Sequence, residues 1–177
     1  MKTVAIVEIE GGGEAEALRQ SLENFGYLVV MYGVGRPQHL IDILAGKTIA
    51  KFDFIIISCH GEENGEIIMP ELSEDIYFPD EPRGNFGFSE INKYLDLKDT
   101  CIIGSGCSLG HEDMARAFAK NNNIYIAPTD EIEGNSALIF VVLFFYYHSS
   151  QCGFDIESAY KKASSLDAET NLYILRK

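Results

Sequence analysis

Apolar residues in this chain come as short runs separated by amphipathic stretches, and the two kinds of stretch alternate regularly. TVAIVEI at 3–9 is rich in β-branched residues and predicts a first strand. In the next stretch Ala15, Leu18, Leu22 and Phe25 recur at helical spacing, and Gly26 is suited to stop the helix. YLVVMY at 27–32 predicts a second strand. Pro37 opens a second helix that carries His39, Leu40, Ile41, Ile43 and Leu44 and ends at Gly46. FIIIS at 54–58 is a third strand, CIIG at 101–104 a fourth and IYIA at 124–127 a fifth. Ser89 caps a short helix through Leu95, and residues 111–121 form another with Met114, Ala115, Phe118 and Ala119 inward. ALIFVVLFFYY at 137–147 suits strand or helix by periodicity, but eleven residues behind an Asn135 cap favour a buried helix. Residues 155–166 are amphipathic, and 172–175 supply a last strand.

Strand, helix, strand, helix, strand is the rhythm of a parallel sheet. The expected fold is a single α/β domain over residues 1–177, a three-layer αβα sandwich on a mainly parallel sheet of about six strands. In such sheets ligands and catalytic groups gather at the carboxyl ends of the strands. Residues 61–88 break the rhythm with three prolines, four glycines and many carboxylates. A loop of that length inside a compact domain is functional or disordered. Residues 66–69 and 76–78 are expected to pair there as a small hairpin.

Composition narrows the reading. The net charge of −13 argues against a nucleic-acid partner, which needs a basic face. Hydrophobic content of 46% with 23% charged residues is that of a soluble globular chain. The 137–147 run is too short for a bilayer, so no membrane association is expected. Nothing pairs the four cysteines as CxxC, so neither a metal nor a cofactor is expected. No signal peptide is visible at the start, which predicts reduced thiols and a cytoplasmic protein.

The candidate chemistry lies where two buried strands run into tight turns. FIIISCHG delivers His60 and Gly61; CIIGSGC delivers Cys107. A cysteine nucleophile needs a histidine acid/base and surroundings that favour the thiolate. Peptide N–H groups in the Cys107 turn, and the helix behind it, would favour the anion and could hold an oxyanion, with Gly61 as a second donor. Cys101 is expected in the core, Cys59 facing away from His60 and Cys152 in a loop, all three non-catalytic. His111 follows Cys107 too closely to serve better than His60, and is expected at a helix start. Gly11, Gly12 and Gly13 precede a helix as a phosphate loop would, but there is no Walker lysine, and Glu14 and Glu16 stand where the phosphate would go.

At FIIISCHG and CIIGSGC, in that order, the chain resembles the caspase-like cysteine peptidase superfamily, which includes legumains, clostripains, separases and CHAT domains. FGYLVVMY at 25–32 is similar to the matching caspase segment. IAPTDEIEGNSALIFVVLFFYYHSS with DIESAYKKAS resembles CHAT and separase domains. The resemblance spans the first strand to about Leu166. It implies a His60–Cys107 dyad, an oxyanion hole of the Gly61 and Cys107 amides, and an aspartate, Asp130 with Glu131 beside it, that binds a basic residue before the scissile bond. Gly106 departs from the Ala, Ser or Asp usual there and is expected to loosen the turn. The function so implied is a cysteine endopeptidase acting on a protein or peptide, with a regulatory protein partner or a homo-oligomer left open. Tyr146 and Tyr147, with the neighbouring Phe residues, suit a dimer interface and core packing equally well. Two alternatives stand beside it: a catalytically inactive scaffold of the same fold, and a flavodoxin-like small-molecule-binding domain that uses the glycine turn.

Overall fold

A computed structural model describes residues 1–10, 12–48 and 51–177; Gly11 of the glycine turn lies outside them. The strands are β1 (Thr3–Glu8), β2 (Leu28–Gly33), β3 (Phe54–Ser58), β4 (Cys101–Gly104), β5 (Ile124–Pro128) and β6 (Tyr173–Arg176). The helices are α1 (Glu14–Asn24), α2 (Pro37–Leu44), α3 (Phe88–Tyr94), α4 (Glu112–Ala119), α5 (Gly134–His148) and α6 (Ile156–Ser164). The six strands form one sheet in the order β2-β1-β3-β4-β5-β6. Every neighbouring pair is parallel except β5 with β6.

Alternation along the strands divides the core into two layers. Ala5, Val7, Ile55, Ile57 and Ile102 face α2, α3 and α4. Val4, Ile6, Phe54, Ile56 and Ile103 face α1, α5 and α6. The expected three-layer αβα sandwich is therefore what this chain forms, with β3 and β4 central and buried along their whole lengths. The 137–147 run is helical, as its length requires. Phe140, Val141, Phe144 and Phe145 of α5 are fully buried, each contributing about 1.5–3 kcal/mol of transfer free energy. No helix of the described residues is long and apolar enough to cross a membrane.

Three local expectations are corrected. Residues 66–69 and 76–78 do not pair. Ile67 instead bridges Gly61 on one side and Phe86 on the other. The 76–78 segment is held elsewhere, by Arg36 at the start of α2. The Arg36 guanidinium donates to the Ile76 carbonyl (2.9 Å), lies 3.5 Å from the Phe78 ring centroid, and pairs with the Glu81 carboxylate at 2.6 Å. That carboxylate also accepts from the Gln38 and Phe78 amides, and the Arg36 hydrogen bond with these others holds its pKa down at about 2. The N-cap of α3 is Gly87, whose amide donates to Glu90 at 3.1 Å, rather than Ser89. The helix expected through residue 121 stops at Ala119, since Asn121 and Asn122 adopt left-handed backbone at φ 60° and 63°.

Candidate functional site

The parallel register pairs Ile57 with Gly104 across β3 and β4. Past the strand ends the two turns stay in contact, Gly106 against Cys59 and Gly61 against Cys107. The Ser105 amide keeps this pairing by donating to the Ile57 carbonyl at 3.1 Å. Both expected turns thus lie side by side at the carboxyl ends of adjacent central strands.

Two glycines make that approach possible. A Cβ on Gly61 would run into the carbonyl oxygen of Cys107. A Cβ on Gly106 would stand 2.8 Å from the Cys59 carbonyl oxygen and 3.2 Å from the Gly61 nitrogen. Glycine at 106 was expected to loosen the turn; instead it is what lets the two strand ends close on each other. The segment beyond Cys107 is stitched to the β5–α5 loop. Ser108 takes a left-handed φ of 56°, and its amide donates to the Asp130 carbonyl at 3.0 Å. The Gly110 amide donates to the Pro128 carbonyl at 2.7 Å.

One cavity of about 490 Å³ opens here. Its walls come from four βα connections: Glu10, Gly12, Gly13 and Glu14 after β1, Ser58 to His60 after β3, Ser105 to Cys107 after β4, and residues from Ile132 to Leu138 at the start of α5. His60 and Cys107 are therefore brought to one cavity. His60 is exposed, and the Cys107 thiol is directed to the Ile132 carbonyl oxygen at 3.6 Å rather than to the imidazole. Among the described residues the Gly61 and Cys107 amides donate to no protein acceptor.

The pattern reading missed Glu14. This carboxylate, in the first turn of α1, accepts hydrogen bonds from Ser58 Oγ and, at 2.9 Å, from Ser105 Oγ. Both go to Oε2, so Oε1 is uncommitted. A signal was present: a first-turn carboxylate after β1 falls at the same sheet edge as any residue after β3. It was read only as an obstacle to phosphate. Beneath this wall lies the Tyr173 hydroxyl, buried and without a hydrogen-bond partner among the described residues. Burial drives its pKa upward, and negative charge at Glu14, Cys107 and Cys59 adds to the shift.

Apart from Cys59, the other predicted positions fall outside the cavity wall. Asp130 and Glu131 are exposed, and Asp130 Oδ1 accepts from the Glu131 amide at 2.8 Å. His111 is exposed at the N-cap of α4. Cys101 is buried in the core. Cys59 reaches the edge of the cavity but packs toward the α2–α4 layer. Burial pushes the Cys59 and Cys101 thiols well above the ordinary range, which leaves both as poor nucleophiles. Among the described residues no three His, Cys, Asp or Glu side chains are grouped to hold a metal ion.

No family model matches the chain, and no curated protein does. Among solved structures it is similar to a short-chain flavodoxin associated with a PDU bacterial microcompartment. The two are 18% identical with a TM-score of 0.40, over 75% of this chain and 83% of that one. A likeness of that size carries no argument about function.

Proposed function

We propose that this chain is a cysteine endopeptidase of the caspase-like kind, with Cys107 as nucleophile and His60 as acid and base. The observation that carries the reading is the single cavity lined by Cys107, His60 and Glu14, with the uncommitted amides of Gly61 and Cys107 beside it. In the reaction the Cys107 thiol gives its proton to His60, and the resulting thiolate attacks the scissile carbonyl carbon. A C–S bond forms, and the carbonyl electron pair moves onto oxygen, where the two amides stabilise it. As the tetrahedral species collapses, the C–N bond breaks and His60 gives its proton to the departing amine. Water then attacks the thioester, His60 takes its proton, and the carboxylic acid leaves as the thiol is restored. The thiol must first turn from Ile132 toward the cavity; catalytic hydrogen bonds in resting sites are commonly this loose.

The residue before the scissile bond is basic in this reading. Glu14 and Glu10 both line the cavity, so an ammonium or guanidinium group there meets a carboxylate anchored by two hydroxyls through one of its oxygens. Asp130 and Glu131, which the family resemblance assigns to this task, stand outside the cavity as a secondary acidic rim. A peptide library varied at this position tests the proposal. Cleavage after Arg or Lys supports it; preference for acidic or apolar residues, or no cleavage by the wild type where Cys107→Ala is equally inert, defeats it.

A second reading has its own observation. The strand order reverses between β1 and β3, and crevices at such switch points bind small molecules in open α/β sheets. The cavity opens at that point. A phosphorylated cofactor such as a flavin mononucleotide does not fit these walls, because Glu10 and Glu14 occupy the phosphate end. An uncharged or cationic small molecule would fit. A thermal shift on an uncharged ligand such as riboflavin, with no thiol-dependent peptide cleavage, would favour this reading over the peptidase.

A further inference from the structure

α5 has no charged side chain in its fifteen residues GNSALIFVVLFFYYH. A helix apolar on every side belongs inside a protein, yet α5 lies on the surface of its layer. Its inner face is spent on the sheet. On its outer face Ile139 is 45% and Tyr146 40% exposed, with Val142 and Leu143 partly exposed between them. These four recur at helical spacing, so they form one continuous apolar stripe along the helix rather than scattered contacts. Edge contact between Phe25 and Tyr146, centroids 5.9 Å apart, carries apolar surface from the stripe toward the end of α1.

The flanks identify the occupant. α1 borders α5 on the β2 side, and α6 borders it on the β6 side. α1 exposes Glu16 and Glu23, which share the single cation Arg19. α6 exposes Lys161 and Lys162 in its last turn, while the exposed Glu157 of its first turn is paired with Lys177. One stripe thus has a negative bank and a positive bank. A two-fold axis running parallel to α5 lays stripe on stripe and sets the α1 bank of each copy against the α6 bank of the other. Such a patch is complementary to itself, which is the requirement for an isologous contact. We infer that the outer face of α5 is the interface of a homodimer with its two α5 helices side by side and parallel. A bilayer is a poorer occupant, since the negative bank opposes anionic lipid. Leu138, one residue before the stripe, lines the cavity, so the second copy would stand next to its mouth. The inference does not depend on the peptidase reading.

Sedimentation velocity over a concentration series tests it. The wild type is expected to dimerise, and Ile139→Glu with Tyr146→Glu to weaken association at least about tenfold. Lys161→Glu with Lys162→Glu is expected to weaken it too, and adding Glu16→Lys with Glu23→Lys to restore it, a recovery that a misfolded variant would not give. Geometry is read by cross-linking in a Cys107→Ser, Cys152→Ser background. In a parallel pair, Ile139→Cys links to its own counterpart, and so does Tyr146→Cys. A wild type that is monomeric throughout, a dimer indifferent to the stripe, linking only between the two different cysteine variants, or co-flotation with anionic vesicles as a monomer would each overturn the inference.

Discussion

His148 closes the amino end of the sheet, and His60 stands at its carboxyl end. The first is 6% exposed, with its ring 4.8 Å from Phe54 and 6.0 Å from Phe144. Lys2 Nζ lies 2.8 Å from His148 Nε2. An ammonium only donates, so Nε2 accepts and the proton sits on Nδ1, which donates to Tyr27 Oη at 2.8 Å. The Tyr27 hydroxyl then donates to the Phe145 carbonyl at 3.4 Å. Both ring nitrogens are committed, and the group pins α5 to the first strand. His60 is exposed and lines a cavity that also holds the Cys107 thiol, itself only loosely held by the Ile132 carbonyl. A histidine whose nitrogens are both bonded within a packed shell is structural; one left uncommitted at a cavity that also holds a thiol has capacity for proton transfer. Cysteines divide the same way, with Cys101 sealed in the core and Cys107 at the cavity.

The sharpest way to break this contrast is to exchange the groups it calls chemical. Cys107→Ala is expected to lower peptide turnover by on the order of 10⁴-fold or more, with His60→Ala close behind and the double variant no worse than either, because the two act as a unit. His148→Gln should leave kcat nearly untouched while lowering the melting temperature. Initial rates and thermal melts on the four proteins check this. Loss of activity in His148→Gln at a temperature where it remains folded would mean that the two histidines are not divided as described.

The next effect separates two acidic groups. Glu14→Gln keeps the serine contacts in shape but removes the charge, and is expected to lower kcat/KM for Arg and Lys substrates by roughly 10²-fold. Asp130→Asn should change it by less than about threefold, as an exposed carboxylate is well screened. Kinetics at two ionic strengths distinguish them, since only the rim term fades with salt. The reverse ranking would return substrate recognition to Asp130.

What was legible in the sequence follows the same division. Strand and helix positions came from periodicity, and the His60 and Cys107 turns from glycines after apolar runs, because those signals are local. Glu14 was legible only as a residue at the right sheet edge, not by its contacts. Its role depends on β1 lying next to β3 and on hydroxyls at Ser58 and Ser105, one at the end of β3 and one just past β4. The failed hairpin has the same cause: Arg36, far upstream, holds 76–78 away from 66–69. Cys107 directed at Ile132 rather than His60 is a rotamer outcome that no residue pattern encodes.

Acid should expose the structural histidine before any carboxylate contact fails. Burial, and then the charge of Lys2, lower the His148 pKa from 6.5 to about 4. The unfolded chain takes a proton below pH 6.5 that the folded chain refuses until about pH 4. The stability due to the neutral ring is therefore complete above 6.5 and lost as the pH falls to about 4, a change of up to about 3 kcal/mol. Urea unfolding at half-unit pH steps measures it. His148→Gln should flatten the profile across that window. An unchanged slope would assign the acid sensitivity to other groups.

Gly106→Ala is expected to have the smallest effect, and it tests how closely the two strand ends must meet. The added methyl would stand 2.8 Å from the Cys59 carbonyl oxygen, within a turn held by Ser105, Ser108 and Gly110 backbone hydrogen bonds. Relief requires the Cys107 turn to lift away from Gly61, at a cost of about 1–3 kcal/mol in stability. The two amides would separate with it, so kcat should fall more than KM rises, because an oxyanion donor acts in the transition state. A stability loss without any fall in kcat would show that the turn can shift as a body, and that the close packing at Gly106 serves the fold rather than the reaction.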